Sequence, residues 1–194
     1  MASFSLEEPL EQLLDRIASD EPGPAGGSVA AVAVAMAAGL VAMAARLARE
    51  WPQASEVVEH AEALRSVVAP LAVADAEAYA KVLEALRLPP SSVVREAEVA
   101  ATLSRAADVP LAIAEAASEV ATLAALVARA GSPHLRGDAL VAAEIAEAGA
   151  RGAAELVVIN LGNRDEARVR RAKELAAKTL EAARRDPHAP KLYP

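Results

Sequence analysis

The stretch from Val29 to Ala45 contains no charged or strongly polar residue, and it constrains the fold more than any other part of the chain. As an α-helix it would be about 26 Å long, shorter than the roughly 30 Å hydrocarbon core of a bilayer. Much of it is alanine, which favours membrane insertion far less than leucine does. A helix that is apolar on every side is either buried in protein or placed in a membrane. The pattern therefore predicts a central buried helix, not a membrane span.

The core around such a helix must be built largely from small side chains. Hydrophobic residues make up 54% of the 194 residues, but aromatic residues make up only 2%. Because small side chains bury little area each, we expect many closely packed helices, and an oligomer that buries further surface between subunits. The one β-like run is AELVVINLG near residue 160, and a single strand cannot form a sheet. The sequence thus predicts an all-α fold.

Breaker segments divide the chain into a multihelical bundle of about six helices, within one domain over residues 1–194. The first helix is expected from Ser5 to Ser19, because Ser5 and Glu8 have capping-box spacing. Ser28 is expected to cap the long apolar helix, which ends near Glu50. The other helices are predicted at 52–87 with a kink or break near Val68, at 93–130 with Pro110 inside it, at 138–154, and at 165–186.

Charge and cysteine content exclude several classes of function. The net charge of −7 argues against a nucleic-acid partner. Basic residues cluster between Arg164 and Lys178, but they alternate with acids, which favours a solvated helix face. Without cysteine the chain has no disulfide and no thiolate zinc site, so a reducing cytoplasm is compatible. The N-terminus MASFSLEEPLEQLL lacks the basic region of a signal peptide, and we expect a cytoplasmic location.

A glycine-containing loop leads into the apolar helix, in the stretch PGPAGGSVAAVAVAMAAGLVAMAARLA from Pro22 to Ala48. The free N–H groups and positive dipole end of a helix N-terminus suit an anion or a polar carbonyl. Gly26 and Gly27 would let the backbone approach a ligand closely. No Lys follows the glycines, so this is not a Walker A loop. On spacing alone, a turn and cap before a core helix is the better interpretation.

Three further stretches extend the pattern: DAEAYAKVLEALRLP at 75–89, AADVPLAIAEAASEV at 106–120, and GDALVAAEIAEAGARGAAELVVINLGNRDE at 137–166. Together with the loop and apolar helix, they resemble in the same order the motifs of the cyclodeaminase/cyclohydrolase family. That family includes the cyclodeaminase part of formiminotransferase-cyclodeaminase and stand-alone methenyltetrahydrofolate cyclohydrolases. Ala25 departs from it by replacing the first Gly of a triplet, and Ser132 stands where Asn is common.

The resemblance implies an intertwined homodimer and an enzyme of folate one-carbon chemistry. A cyclodeaminase converts formiminotetrahydrofolate to methenyltetrahydrofolate with release of ammonia, and a cyclohydrolase hydrolyses methenyltetrahydrofolate to formyltetrahydrofolate. Both need a proton shuttle beside a tetrahedral carbon, and neither needs a metal or a redox cofactor. A separate formiminotransferase would be a natural partner of a cyclodeaminase. The alternative from another class is a non-catalytic helical scaffold or partner-binding subunit.

Asp75 occupies the catalytic position that the resemblance implies. Alanines surround it at positions 72, 74, 76 and 78, so its carboxylate should be partly desolvated, which would raise its pKa towards a range useful for proton transfer. Tyr79, four residues later, shares its helix face and could hydrogen-bond substrate. The structural alternatives are a surface Asp with an ordinary helix contact and a core Tyr with a satisfied hydroxyl.

The other substrate-binding candidates are the Gly26–Gly27–Ser28 loop, Asp138 and Asn160. Asp138 follows a loop and is also a favoured helix N-cap. Asn160 offers an amide that could bind the edge of a pterin, or could cap a local turn. His134 is a weaker candidate near Asp138, and no pair of histidines has metal-ligand spacing, so no metal is predicted.

Overall fold

The computed structural model describes residues 5–184, and all regular secondary structure in that range is helical. The all-α prediction is therefore confirmed. Eight α-helices follow one another: α1 Leu10–Ala18, α2 Gly26–Leu47, α3 Ala54–Val68, α4 Leu71–Leu86, α5 Arg95–Ala106, α6 Asp108–Ala130, α7 Arg136–Leu161 and α8 Glu166–Arg184, with a 3₁₀ turn at Pro133–Leu135 before α7. This exceeds the predicted number of about six because two of the predicted long helices are interrupted.

Two prolines mark those interruptions. α3 ends at Val68 and α4 begins just after Pro70, which confirms the break predicted near Val68. Only Ala107 separates α5 from α6, and Pro110 is the third residue of α6. A missing N–H costs little there, because the N–H groups of a first helical turn have no acceptor within the helix. The break at Pro70 turns the chain so that α4 meets the beginning of α2.

α2 is the central helix, as its composition predicts, and it contacts α3, α4, α6 and α7. Val34 and Val41 lie on its fully buried side among alanines. Where α2 meets α7, a Cβ added to Gly149 would lie 2.5 Å from Val34 Cγ2. Any side chain at position 149 would therefore require Val34 or the helix backbone to shift. The predicted close approach of small faces is the geometry of this contact.

Both α2 and the joined α5–α6 stretch, Arg95–Ala130, are long and apolar enough to cross a membrane by length and composition alone. More than half of each apolar window is buried by the rest of the chain. That burial is the pattern of a core helix, which is how α2 was interpreted from its sequence.

Several predicted helix boundaries were wrong. α1 begins at Leu10, after Pro9, and not at Ser5. α7 continues through the β-like run to Leu161 and does not end near Ala154. The run is helical because Val157 and Leu161 fill an apolar cluster with Ala107 and Ala172, a tertiary contact that outweighs their strand propensity. The predicted end of the last helix near Asp186 lies outside the described residues.

The basic residues near the C-terminus are largely paired with acids, as expected for a solvated helix face. Arg168 donates to Asp165 at 2.7 Å and to Asp108 at 2.6 Å, and it also reaches Ser104. Arg171 lies 3.5 Å from Glu115. The Arg168 contacts join the start of α8 to the junction of α5 and α6, and the Arg171 contact reaches a later turn of α6.

Candidate active site

Asp75 on α4 lies against the N-terminus of α2. The Ser28 backbone N–H donates to Asp75 Oδ2 at 2.9 Å, and the Ser28 hydroxyl lies 3.2 Å from the same oxygen. That hydroxyl also donates to the Ala72 carbonyl oxygen at 2.8 Å. A carboxylate at this position satisfies an otherwise unpaired N–H and faces the positive end of the helix dipole. The site thus forms where α4 crosses the first turn of α2.

Ser28 is not the N-cap that its position in the sequence suggests. α2 begins at Gly26, with Ala25 extended at the N-cap position and no side-chain cap. Ser28 is the third helical residue, and it is only 1% exposed. The capping role falls to Asp75, a side chain from another helix. Spacing rules did not reveal this, because 47 residues separate the two partners.

The two glycines before Ser28 have different surroundings. A Cβ on Gly27 would overlap the Asp75 carboxyl group, whereas a Cβ on Gly26 would meet nothing within 4 Å. Gly27 therefore allows Asp75 to lie directly against the backbone of α2. Gly26 is exposed beside it. The sequence predicted that these glycines let a ligand approach the backbone, and at Gly27 the group that lies against the backbone is the Asp75 side chain.

The pKa of Asp75 is shifted upwards, in the opposite direction from the pKa values of Glu62 and Asp165. Burial raises the pKa of the Asp75 carboxyl, and the hydrogen bonds from Ser28 partly oppose that rise. By contrast, arginine side chains lower the pKa of Glu62, and hydrogen bonds from Arg168 lower that of Asp165. The shift of Asp75 has the direction that its alanine neighbours predict, and it brings the group closer to neutral pH.

Tyr79 lies one turn beyond Asp75 on the same side of α4. Its side chain is 41% exposed, so it is not the buried core tyrosine of the structural alternative.

Asp138 and Asn160 cannot both lie beside Asp75 within one subunit. Both lie on α7, where 22 residues place them about 33 Å apart along the axis. Gly149, at the contact with α2, is eleven residues from each. Asp138 is the third residue of α7 and not its N-cap, which is Leu135. Asn160 lies in the last turn of α7 rather than in a loop. Its backbone carbonyl accepts a 2.8 Å hydrogen bond from the Arg164 guanidinium.

His134 lies in the 3₁₀ turn that precedes α7, and so belongs to the Asp138 end of that helix. The residues that the structure brings together are therefore Gly27, Ser28 and Asp75, with Gly26 and Tyr79 at the edge. The Ala72 carbonyl, which the sequence offered no means of identifying, completes the group.

Comparison with known proteins identifies relatives of this chain. The family model described as formiminotransferase-cyclodeaminase matches residues 9–179. Methenyltetrahydrofolate cyclohydrolase of Methylorubrum extorquens is 35% identical over 170 residues, which cover 82% of this chain and 82% of that protein. Formimidoyltransferase-cyclodeaminase of Sus scrofa is 32% identical over 171 residues. Those residues cover 80% of this chain but 31% of the pig protein, so the chain spans about a third of that larger enzyme.

A solved structure agrees with these sequence relationships. The crystal structure of formiminotetrahydrofolate cyclodeaminase from Thermotoga maritima superposes with a TM-score of 0.84 at 28% sequence identity. The superposition covers 92% of this chain and 93% of that chain. The resemblance drawn from four short motifs is confirmed, and the chain belongs to the formiminotransferase-cyclodeaminase family.

Proposed function

We propose that this chain is a folate one-carbon enzyme that hydrolyses methenyltetrahydrofolate to formyltetrahydrofolate, with Asp75 as its proton shuttle. The observation that carries this proposal is the half-buried Asp75 carboxyl, which Ser28 holds at the start of α2 and whose pKa burial raises. The cyclohydrolase relative supports this choice of reaction, because it matches over most of both chains.

In the hydrolysis, water attacks the methenyl carbon while ionised Asp75 accepts one of its protons. The new carbon–oxygen bond makes that carbon tetrahedral. Protonated Asp75 then gives its proton to the departing ring nitrogen as the carbon–nitrogen bond breaks. The remaining hydroxyl proton leaves to solvent as the formyl carbonyl forms. A carboxyl that alternates between both protonation states needs a pKa nearer the working pH than that of a solvated Asp.

Cyclodeamination is the second candidate, and the overlap with the Thermotoga maritima cyclodeaminase supports it. There protonated Asp75 would donate to the formimino nitrogen as N10 of formiminotetrahydrofolate attacks the formimino carbon. Ionised Asp75 would then accept the N10 proton and give it to the same nitrogen, which leaves as ammonia when its bond to the carbon breaks. The same site serves both reactions, and the cyclodeaminase would use a substrate supplied by a separate formiminotransferase.

Substrate contacts are assigned to groups that the fold leaves available. The N–H groups of Ser28 and Val29 are used by Asp75 and by the Ala25 carbonyl. Those of Gly26 and Gly27 have no acceptor among residues 5–184 and could bind a substrate oxygen. Tyr79 would contact the ligand at the solvent side. Asp138 and Asn160 are not both retained as contacts with the same folate molecule in one subunit, because α7 separates them by about 33 Å.

A homodimer is also proposed, because one face of the central helix is uncovered. Val29 is 40% exposed and Met36 is 60% exposed, and the two lie on the same face of α2 as an apolar stripe. The first charged residue of this helix is Arg46, near its C-terminal end. A second copy that packs here would bury the stripe, as an apolar core helix requires. The same stripe begins next to Ser28, at the edge of the site.

The reaction as proposed consists of proton transfers and needs no metal or redox cofactor. Among residues 5–184, no three His, Asp or Glu side chains are grouped to hold a metal ion. Full activity after treatment with a chelator would support this part of the proposal, and loss of activity restored by a metal would contradict it. A cytoplasmic location is also proposed, because a chain without cysteine is compatible with reducing conditions.

The scaffold hypothesis expects Asp75 to be solvent-exposed and away from any pocket. Its carboxyl is instead half-buried against α2, which argues against the exposure that this hypothesis requires. The deciding experiment follows the near-ultraviolet absorbance of methenyltetrahydrofolate in the presence of the protein and of Asp75→Asn. Fast loss of absorbance that the variant reduces by about 10²- to 10⁴-fold is the expected result. No loss above the buffer rate would contradict cyclohydrolysis, and formiminotetrahydrofolate would then test the second candidate.

A further inference from the structure

The two oxygens of the Asp75 carboxyl have different surroundings. Both contacts from Ser28, the N–H at 2.9 Å and the hydroxyl at 3.2 Å, go to Oδ2. Oδ1 receives neither. The absent side chain of Gly27 also constrains the carboxyl, because a Cβ there would overlap Oδ1, Cγ and Oδ2. Ser28 thus holds Oδ2, whereas Oδ1 lies against the Gly27 backbone without a hydrogen bond among the described residues.

Ser28 itself is fully engaged inside the protein. Its side chain is buried, and a serine hydroxyl has one hydrogen to donate. That hydrogen has two acceptors within reach, the Ala72 carbonyl at 2.8 Å and Asp75 Oδ2 at 3.2 Å. Its backbone N–H is used by Asp75 as well. No donor of Ser28 remains for a substrate, so its contribution to the reaction must pass through Asp75.

We propose that Gly27 and Ser28 are positioning residues that anchor Asp75 through Oδ2 and leave Oδ1 as the oxygen that exchanges protons with the substrate. This inference rests on the proposed function of Asp75, and it changes the role of Ser28 from a substrate contact to a support for the carboxyl. A carboxyl held by one oxygen keeps its orientation while the other oxygen gains and loses a proton. Such fixed orientation is a large part of what a catalytic group contributes.

Three alanine variants of the full chain test the proposal. Ser28→Ala removes the hydroxyl but keeps the backbone N–H, and Gly27→Ala adds a methyl group where the carboxyl lies. Gly26→Ala adds the same methyl group one residue earlier, in open space, and is the matched control. For each variant, carbon-13 NMR of labelled aspartate gives the pKa of Asp75, with its signal assigned by its loss in Asp75→Asn. The pH dependence of kcat and KM is measured in parallel.

The Ser28→Ala variant is expected to raise the pKa of Asp75 above its wild-type value, because the ionised form loses a donor. The acidic limb of the kcat/KM profile should move to higher pH by the same amount, with little change in KM at the pH optimum. Gly27→Ala should lower kcat by about 10²-fold through displacement of the carboxyl, and Gly26→Ala should leave the Asp75 titration where it is. A large rise in KM for Ser28→Ala with an unchanged Asp75 titration would overturn the proposal, because it would make Ser28 a substrate contact.

The titration separates this inference from the proposed function. If Asp75→Asn keeps full activity, Asp75 is not the proton shuttle, whatever Ser28 does to its pKa. If Ser28→Ala leaves the titration unchanged while Asp75→Asn is inactive, Asp75 is catalytic but Ser28 does not anchor it. If Gly27→Ala fails to fold, as judged by circular dichroism, Ser28→Ala still decides the question, since it only removes an oxygen atom from a helix.

Discussion

Asp75 Oδ2 accepts the backbone N–H of Ser28 at 2.9 Å and thereby caps a helix that begins 49 residues before it. The contact joins a catalytic candidate to a helix N-terminus, and it places the carboxyl where burial and the positive helix end act in opposite directions. Burial is the stronger influence, so the pKa of Asp75 is raised. This relationship has consequences for stability as well as for catalysis.

Asp75→Asn is expected to be more stable than the wild type at neutral pH. A carboxyl with a raised folded-state pKa binds its proton more tightly in the folded protein than in the unfolded chain. Ionisation therefore costs stability as the pH rises above the ordinary Asp value of 3.8 and through the folded-state pKa. The advantage of the variant, measured by thermal unfolding at pH 7, should shrink as the pH falls towards 4.

Asp165→Asn provides the control of opposite sign. Hydrogen bonds from Arg168 lower the pKa of Asp165, so its ionised form stabilises the folded state at neutral pH. This variant should be less stable than the wild type at pH 7, and its deficit should shrink only as the pH falls below 3.8. Equal or lower stability of Asp75→Asn at pH 7 would argue against the desolvated environment of Asp75.

The contact between α2 and α7 predicts opposite effects for one substitution at two positions of α7. Gly149→Ala places a Cβ against the buried Val34 and should destabilise by about 1–3 kcal/mol. Gly152→Ala meets nothing within 4 Å and should stabilise by about 0.5–1 kcal/mol, because alanine is the better helix former. Urea unfolding of both variants measures this difference. Equal effects would show that the helices do not approach as closely as the structure has them.

A charge on the uncovered face of α2 should prevent dimerisation. Met36→Glu puts a carboxylate in the middle of the apolar stripe, and light scattering after size exclusion is expected to show a monomer. Val93→Glu introduces the same charge at a residue that is 98% exposed before α5, and should leave the mass unchanged. A wild-type protein that is monomeric at all accessible concentrations would contradict the proposed homodimer.

Ser118 on α6 offers a stabilising substitution. Its hydroxyl is buried and has no hydrogen-bond partner within the described residues. Removing an unsatisfied buried polar atom should therefore stabilise the fold, and we expect Ser118→Ala to gain about 1 kcal/mol. Ser66→Ala, at an exposed position, should change stability by less than about 0.5 kcal/mol. A loss of stability in Ser118→Ala would mean that its hydroxyl has a partner in solution.

The sequence predicted the parts of this protein that local pattern controls. The buried α2 follows from a run without charges, and the break near Val68 follows from Pro70. Helix starts were less predictable, because Ser28 has the chemistry of a cap but uses it on Asp75 and Ala72. Likewise, the strand-like residues Val157 and Leu161 are helical through contacts with other helices, which local propensity does not include.

The candidate site shows the same limit. Asp75 stood out through its apolar neighbours and the family resemblance, and its raised pKa agrees with that environment. The pairing of Asp75 with Ser28 depends on how α4 turns after Pro70, so no sequence spacing reveals it. Asp138 and Asn160 were proposed as substrate contacts from their local chemistry and the family resemblance, and a single 26-residue helix holds the two about 33 Å from each other.

The most direct test of the central claim compares two titrations of the same protein. One is the pH at which the hydrolysis of methenyltetrahydrofolate reaches half of its maximal kcat/KM on the acidic side. The other is the pKa of the Asp75 carboxyl measured by carbon-13 NMR in the absence of substrate. If Asp75 is the proton shuttle, both values should lie above the ordinary 3.8, and both should rise in Ser28→Ala. An acidic limb that stays in place while the Asp75 titration moves would contradict the account.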